Sequence, residues 1–311
     1  MPTPMVCVVD LGSNAIRLLV ATHDTSRGMV ILHRDRVPLR IGSSVFTTGH
    51  VGNNIQRIID AIHHFQKETE KLSQENGFKN IRWKAVATSA MRDAKDRDQV
   101  ASAVKESTSI DLHLLSGHQE AILALRAVAT AHPLHGPFAV ADLGGGSLEL
   151  IIGQDGQLLR SASFQLGAVR WHDAIRFNNR ELLATIDHEQ DRLKAFAKGH
   201  QAKTAIGLGG VFRSIHQVTK SSNLEMAWLR KWRDLIAPLS PQERVQHHHL
   251  PKDRADIIIP ALDAMHLTLR AVQAKCWTVP EGVGGIADAL ALELLEQTEN
   301  SLNENSLDQL D

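Results

Sequence analysis

The sequence predicts an α/β protein of two related domains with a cleft between them, and three observations carry that expectation. A strand–Asp-Leu-Gly–turn–strand pattern occurs twice, as VVDLGSNAIRLLV around Asp10 and as VADLGGGSLELII around Asp142, and the copies match along their whole length. After each copy the apolar spacing passes from strand-like alternation to helical repeats and back. Finally, 311 residues are long for a single core and suit two.

Residues 5–46 read as strands, MVCVVDL, AIRLLVATH and GMVILHRDRV, followed by a polar turn region beginning at Arg40. The short turns between them predict an antiparallel start to a mixed sheet. Over 54–76, Ile55, Ile58, Ile59, Ile62, Phe65 and Leu72 recur at helical spacing, and Gly77 supplies the stop. A strand (IRWKAVAT), a short connection holding Arg92, a helix from about Asp96 and a strand (IDLHLL) follow. Ser116 and Gln119 form a capping box for the helix QEAILALRAVATA. The linker HPLHGP (132–137) separates a first domain, 1–131, from a second, 138–284. In the second, strands fill 138–164, a helix spans 180–199, and TAIGL runs as a strand into Gly209-Gly210. The chain is then mostly helical to 274, with a strand (CWTVP) and a last helix over about 285–298. The polar, acidic tail from 299 on is expected to fray.

Composition narrows the function classes. With 43% hydrophobic and 22% charged residues and a net charge of −1, the chain has no global attraction to nucleic acid or membranes. Any polyanion site must be a local basic patch. No uncharged apolar run approaches the ~20 residues of a membrane span, and no secretory leader is evident before the first strand. Cys7 and Cys276 sit in strand-like apolar runs and read as buried free thiols, so a reducing, cytoplasmic setting is expected.

The chemistry concentrates at the two turns. A Gly-rich tip offers backbone N–H groups to phosphate oxygens, and the carboxylate beside it can hold a hydrated divalent cation such as Mg2+. The first tip carries Gly12, Ser13 and Asn14; the second carries Gly144, Gly145, Gly146 and Ser147. Either alone would be an ordinary hairpin turn, but two copies facing one cleft go beyond turn chemistry. Asp10 and Asp142 are candidate ligands of the cation, directly or through water. Arg92 follows a strand whose end should point into the cleft, where it could bind phosphate bidentately or pair with Asp93 or Asp96. Glu149 stands where the first copy has Arg17, and strand alternation turns both toward the cleft. Glu120, near a helix start, is either a general base or a helix-dipole partner. Gly209 and Gly210 complete the candidate phosphate-binding set.

Weaker signals have plainer readings. Consecutive His247, His248 and His249 point in different directions from a helix end, and the chain's 17 histidines show no zinc-ligand spacing. Arg34, Arg36 and Arg40 could extend a polyanion track or form a solvated face. The apolar stripe over 257–269 is core or a dimer contact, and a homodimer is expected.

DLGSNAIRLLV, VPLRIGSSV, ATSAMRDA, SGHQEA, DLGGGSLELI, LGAVR, GLGG and RADIIIPA occur in this order. The ordered set resembles the exopolyphosphatase/guanosine pentaphosphate phosphatase (Ppx/GppA) family, in its short form, of the actin–sugar kinase–Hsp70 superfamily. The resemblance implies two ribonuclease H-like (actin-like ATPase) domains binding a chain of phosphates in the interdomain cleft. It implies Glu120 as general base and Glu149 as positioner of the metal and the lytic water. It further implies that the glycine-loop amides, Asn14 and Arg92 hold phosphates, and that the last helix packs back on the first domain. Departures fall at His118-Gln119, at Leu148 in GGGSLE, at Val211 in GLGGVFRS, which also adds Arg213, and at GVGGIADAL. None removes one of the expected catalytic groups. The implied activity is Mg2+-dependent release of terminal orthophosphate from inorganic polyphosphate, with guanosine pentaphosphate (pppGpp) 5′-phosphohydrolysis as the alternative. An ATP-binding kinase would need an adenosine pocket, for which GLGG is the one candidate. A non-catalytic polyphosphate or alarmone sensor would gain little from Asp10, Glu120, Asp142 and Glu149 beside a polyanion.

Overall fold

The computed structural model describes residues 4–24 and 26–307. Its first half runs β1 (Met5–Leu11), β2 (Ile16–Asp24), β3 (Gly28–Val37), α1 (Ile41–Thr48), α2 (Asn54–Asn76), β4 (Ile81–Ala87), α3 (Ser89–Asp93), α4 (Arg97–Thr108), β5 (Leu112–Leu114) and α5 (Gly117–Ala129). The second half runs β6 (Pro137–Leu143), β7 (Leu148–Gln154), β8 (Gln157–Phe164), α6 (Ala168–Arg176), α7 (Arg180–Ala197), β9 (Thr204–Leu208), α8 (Gly210–Thr219), β10 (Asn223–Glu225), α9 (Met226–Ile236), α10 (Pro241–His248), α11 (Ile258–Ala271), β11 (Cys276–Thr278) and α12 (Ile286–Leu307).

The two sheets have one plan. The first has the order β3-β2-β1-β4-β5, with β1, β2 and β3 antiparallel and β4 and β5 parallel to β1. In the second, β8-β7-β6-β9-β11 repeats that order and sense, and the small strand β10 adds an antiparallel edge. This is the ribonuclease H-like arrangement twice over. Helical crossovers supply the parallel neighbours, as parallel pairing requires. Helix α2 keeps the expected bounds because Gly77, at φ 71°, ends it in the left-handed region. The Ser116–Gln119 capping box opens α5, a device worth about 1 kcal/mol.

Several elements differ from the sequence reading. The region expected as a turn from Arg40 is helix α1, Arg92 lies in the last turn of α3, and α6 stands where no element was foreseen. Neither α1 nor α6 has a side-chain cap. Their leading amides bond instead to the hairpin tips. Arg40 N–H and Gly42 N–H donate to the carbonyls of Asn14 and Ser13 at 3.0 and 2.8 Å. In the matching place, Ala168 N–H donates to the Gly144 carbonyl at 3.1 Å, and Val169 and Arg170 N–H donate to that of Gly145 at 2.8 and 3.0 Å. Helices α1 and α6 then pack on each other and join the halves. Helix α12 continues through Leu307 rather than ending near 298; residues 308–311 lie outside the described ones.

One apolar core lies under α2 and α4 and extends into the second half; another lies between the sheets. The latter joins Val6 and Leu19 of the first sheet to Val140 and Ile151 of the second through Ala124 of α5 and Leu290 of α12. Thus α12 rests on β1, β2 and α5. Cys7 is buried, which pushes its thiol up to about 12, whereas Cys276 is only half-buried. Among the described residues no helix is long and apolar enough to cross a membrane.

Candidate active site

The fold brings both hairpin tips to one small, partly open cavity of about 60 Å³. Asp10, Ser13, Asn14, Glu120, Asp142, Gly144, Gly145, Gly146, Ser147, Glu149, Gly209 and Gly210 all line it. The backbone approaches closely because side chains are missing where the tips meet. A Cβ on Gly146 would lie 2.5 Å from the Ser89 hydroxyl and 2.7 Å from that of Ser13. Gly209, at φ 101°, passes against the Leu143 carbonyl and opens α8. The Ser13 hydroxyl is buried without a hydrogen-bond partner, so an incoming oxyanion would satisfy it. The amides of Gly145, Gly146 and Ser147 donate to no protein group among the described residues. Asn14 donates to the Asp253 carboxylate at 3.2 Å and accepts from Arg40 at 3.2 Å.

The acids form a row in which Asp10, Glu120 and Glu149 are buried and Asp142 is half-buried. Strand register sets Asp142 directly opposite Glu149, as it sets Asp10 opposite Arg17. Arg17 donates to Asp10 at 2.9 Å, but Asp142 faces a second carboxylate. Burial, chiefly, and then the Asp142 charge push Glu149 up to about 7, although Ser163 donates to it at 2.7 Å. Burial also raises Asp142, against the pull of Arg213 and Arg17. Glu120, in the first turn of α5, is pushed well above the usual carboxylate range by burial and then by Glu149. Arg92 opposes that shift. It donates to Glu120 and, at 2.8 Å, to the Leu115 carbonyl, and it stands 4.0 Å from Glu149. Arg92 is not among the residues lining the cavity. Its partners are neither Asp93 nor Asp96: Arg170 holds Asp93, and Asp96 accepts from the amides of Val51 and Gly52.

Three arginines line the cavity: Arg17, which strand alternation turned toward the cleft, and Arg213 and Arg254, which the sequence reading did not place there. Arg254 is buried and Arg213 half-buried. Burial first, and then the Arg17 charge, depress them to about 10 and about 9. Such crowding of cations is an anion seat. Arg36, Arg40 and Arg34 are each paired, with Asp253, Asp256 and Asp288, and of the three Arg34 remains exposed. Beside the cavity lies a chamber of about 820 Å³ that shares Asp10, Arg17, Arg213 and Gly284 with it.

A hydrated divalent cation suits Asp142 and Glu149, adjacent carboxylates whose like charges it would relieve. Asp10 fits less well, since Arg17 already neutralises it. Among the described residues no group of three or more His, Cys, Asp or Glu is placed to hold a metal ion, and that includes His247, His248 and His249.

Two ribonuclease H-like halves that close hairpin tips over an acid- and arginine-lined cavity define a protein of the actin-like ATPase fold class. Within that class, the chain belongs to the Ppx/GppA phosphatase family, whose sequence profile matches residues 19–284. It is 26% identical over 301 residues to exopolyphosphatase 1 of Mycobacterium tuberculosis, covering 89% of this chain and 86% of that one. It is 29% identical over 186 residues to the guanosine-5′-triphosphate,3′-diphosphate pyrophosphatase of Vibrio atlanticus, covering 58% of this chain and 35% of that one. The crystal structure of an exopolyphosphatase from Cytophaga hutchinsonii superposes with a TM-score of 0.79 at 21% identity, covering 94% and 98% of the two chains.

Proposed function

We propose that this chain is an exopolyphosphatase that releases terminal orthophosphate from inorganic polyphosphate with Mg2+. The observation that carries this reading is the meeting, in one small cavity, of a row of acids with free glycine-loop amides and three crowded arginines. The Glu120 carboxylate takes a proton from water as the water oxygen bonds to the terminal phosphorus. The bond from that phosphorus to the bridging oxygen breaks, and the shortened chain leaves with its charge facing Arg17, Arg213 and Arg254. The amides of Gly145, Gly146 and Ser147, with the Ser13 hydroxyl, hold the oxygens of the transferring group. Arg92 keeps Glu120 in place. A cation bound by Asp142 and Glu149 would neutralise charge on the phosphoryl oxygens.

The cavity admits a chain end and not a nucleoside, whose pockets measure roughly 300 Å³ or more. The adjoining chamber would take the rest of the chain along Arg34, Arg36 and Arg213. The same chamber also presents Leu18, Leu19, Val279 and Val283. That apolar wall favours pppGpp as the second reading, with its base in the chamber and its 5′-phosphate end in the cavity.

Orthophosphate release from long polyphosphate, tripolyphosphate, pppGpp and ATP at matched Mg2+ tests both readings. Polyphosphate should be the fastest, and pppGpp fastest of all would establish the second. Glu120→Ala should abolish release while polyphosphate still binds; undiminished turnover in that variant would overturn the base assignment. Tight ATP binding without polyphosphate hydrolysis would point to a kinase-like protein instead.

A further inference from the structure

Away from the cleft, α9 and α11 enclose a cavity of about 280 Å³ lined by Leu229, Arg230, Arg233, Asp234, Leu262, Asp263, His266 and Arg270. None of these residues lines the candidate active site. The charges do not balance. Arg233 spends its guanidinium on carboxylates, donating through Nε and Nη2 to Asp263 at 2.9 and 3.2 Å and through Nη1 to Asp234 at 3.4 Å. Arg230 and Arg270 make no ion pair or hydrogen bond among the described residues. Between them lies His266, whose Nδ1 is buried without a partner. Two unmatched guanidinium groups thus border, together with the half-buried His266 ring, a space also lined by Leu229 and Leu262.

We propose that this cavity is a second anion site, which binds a compact phosphate oxyanion between Arg230, Arg270 and His266. Guanidinium groups bind phosphate oxygens in pairs, and the His266 imidazole adds a third positive charge when it is protonated. The space takes orthophosphate or pyrophosphate. Burial, and then the Arg270 and Arg230 charges, hold His266 below its ordinary value. The groups facing it are Arg230, Arg233 and Asp234 from α9, and Asp263 and Arg270 from α11. An anion that offsets the two arginines therefore raises the imidazole pKa and is taken up together with a proton. This inference does not depend on the reaction in the cleft.

The test is the His266 ring resonance, assigned with His266→Gln, in the full chain titrated with orthophosphate or pyrophosphate at constant ionic strength set by chloride. A saturable displacement with a dissociation constant on the order of millimolar, and an upward shift of the His266 titration, are expected. The double variant Arg230→Ala/Arg270→Ala should weaken that binding about tenfold or more while leaving phosphate release in the cleft unchanged. Both arginines are exposed, and Arg230→Gln/Arg270→Gln serves where the alanine pair lowers the melting temperature. A resonance that does not move, that moves equally with chloride alone, or that keeps its full response in a folded double variant would overturn the proposal.

Discussion

The two hairpins are built alike and charged unlike. In each, a glycine N–H closes the tip, Gly12 onto the Ala15 carbonyl and Gly144 onto that of Ser147, at 3.1 and 3.0 Å. In each, the tip carbonyls cap the next helix, and an aspartate faces a residue across the strands. The first hairpin pairs Asp10 with Arg17 and comes out neutral. The second pairs Asp142 with Glu149 and leaves two carboxylates crowded together. On the proposed reading, this one exchanged residue separates an anion-facing half from a proton- and cation-handling half. Duplication supplied the frame, and the charge at one register position divides the work.

The largest break in that asymmetry is to give the second hairpin the charge of the first. Glu149→Arg, or the milder Glu149→Gln, should cut kcat for phosphate release by about 10²-fold or more with a smaller effect on KM, as steady-state kinetics on polyphosphate would show. Next is Arg17→Met, which strips the first hairpin of its cation. KM should rise about tenfold with kcat less affected; a loss confined to kcat would move Arg17 out of the binding role. The third concerns pH. Glu149 holds its proton to about 7 against an ordinary 4.5, and Glu120 is displaced in the same direction. The folded chain therefore keeps protons that the unfolded chain gives up, and stability falls as pH rises through that window. Melting temperatures across it should decline by a few degrees more in the parent than in Glu149→Gln, on the order set by a single buried group. Phosphate release should rise with pH as the base ionises. The smallest effect belongs to Asp253→Asn, which loosens the carboxylate now held by Asn14 and Arg36. Polyphosphate KM should drop by roughly twofold to threefold, within the range of partly exposed ion pairs.

What the sequence disclosed follows from where each signal is stored. Helix α2 was legible because its stripe, its length and its glycine stop are all local, and α5 because its cap is its own Ser116 and Gln119. Helices α1 and α6 were missed because their caps are carbonyls from another element, which no window along the chain contains. The site divides in the same way. The glycine loop, the acids and Arg17 sit in motifs that can be read in place, whereas Arg213 and Arg254 converge from a helix and a loop. The cue for both was present in GLGGVFRS and RADIIIPA, but an arginine beside a glycine pair says nothing of its neighbours until the chain is folded. Arg92 was expected in a short connection after a strand, reaching phosphate or pairing with Asp93 or Asp96; it lies in the short helix α3 and donates to Glu120.

The carbonyls of the glycine loop have a last consequence. Those of Gly144 and Gly145 accept from the first amides of α6, and that of Gly146 accepts from Arg170 Nε at 2.8 Å. A peptide unit is a rigid plane with its oxygen and its hydrogen on opposite edges. Anchoring the oxygen edges of three successive planes therefore aims the hydrogen edges of Gly145, Gly146 and Ser147 before any ligand arrives. The loop is rich in the residue that permits the most backbone freedom, yet helix α6 and one arginine remove that freedom. A phosphoryl group would meet dipoles already turned toward it, with no reorientation left to make as charge builds.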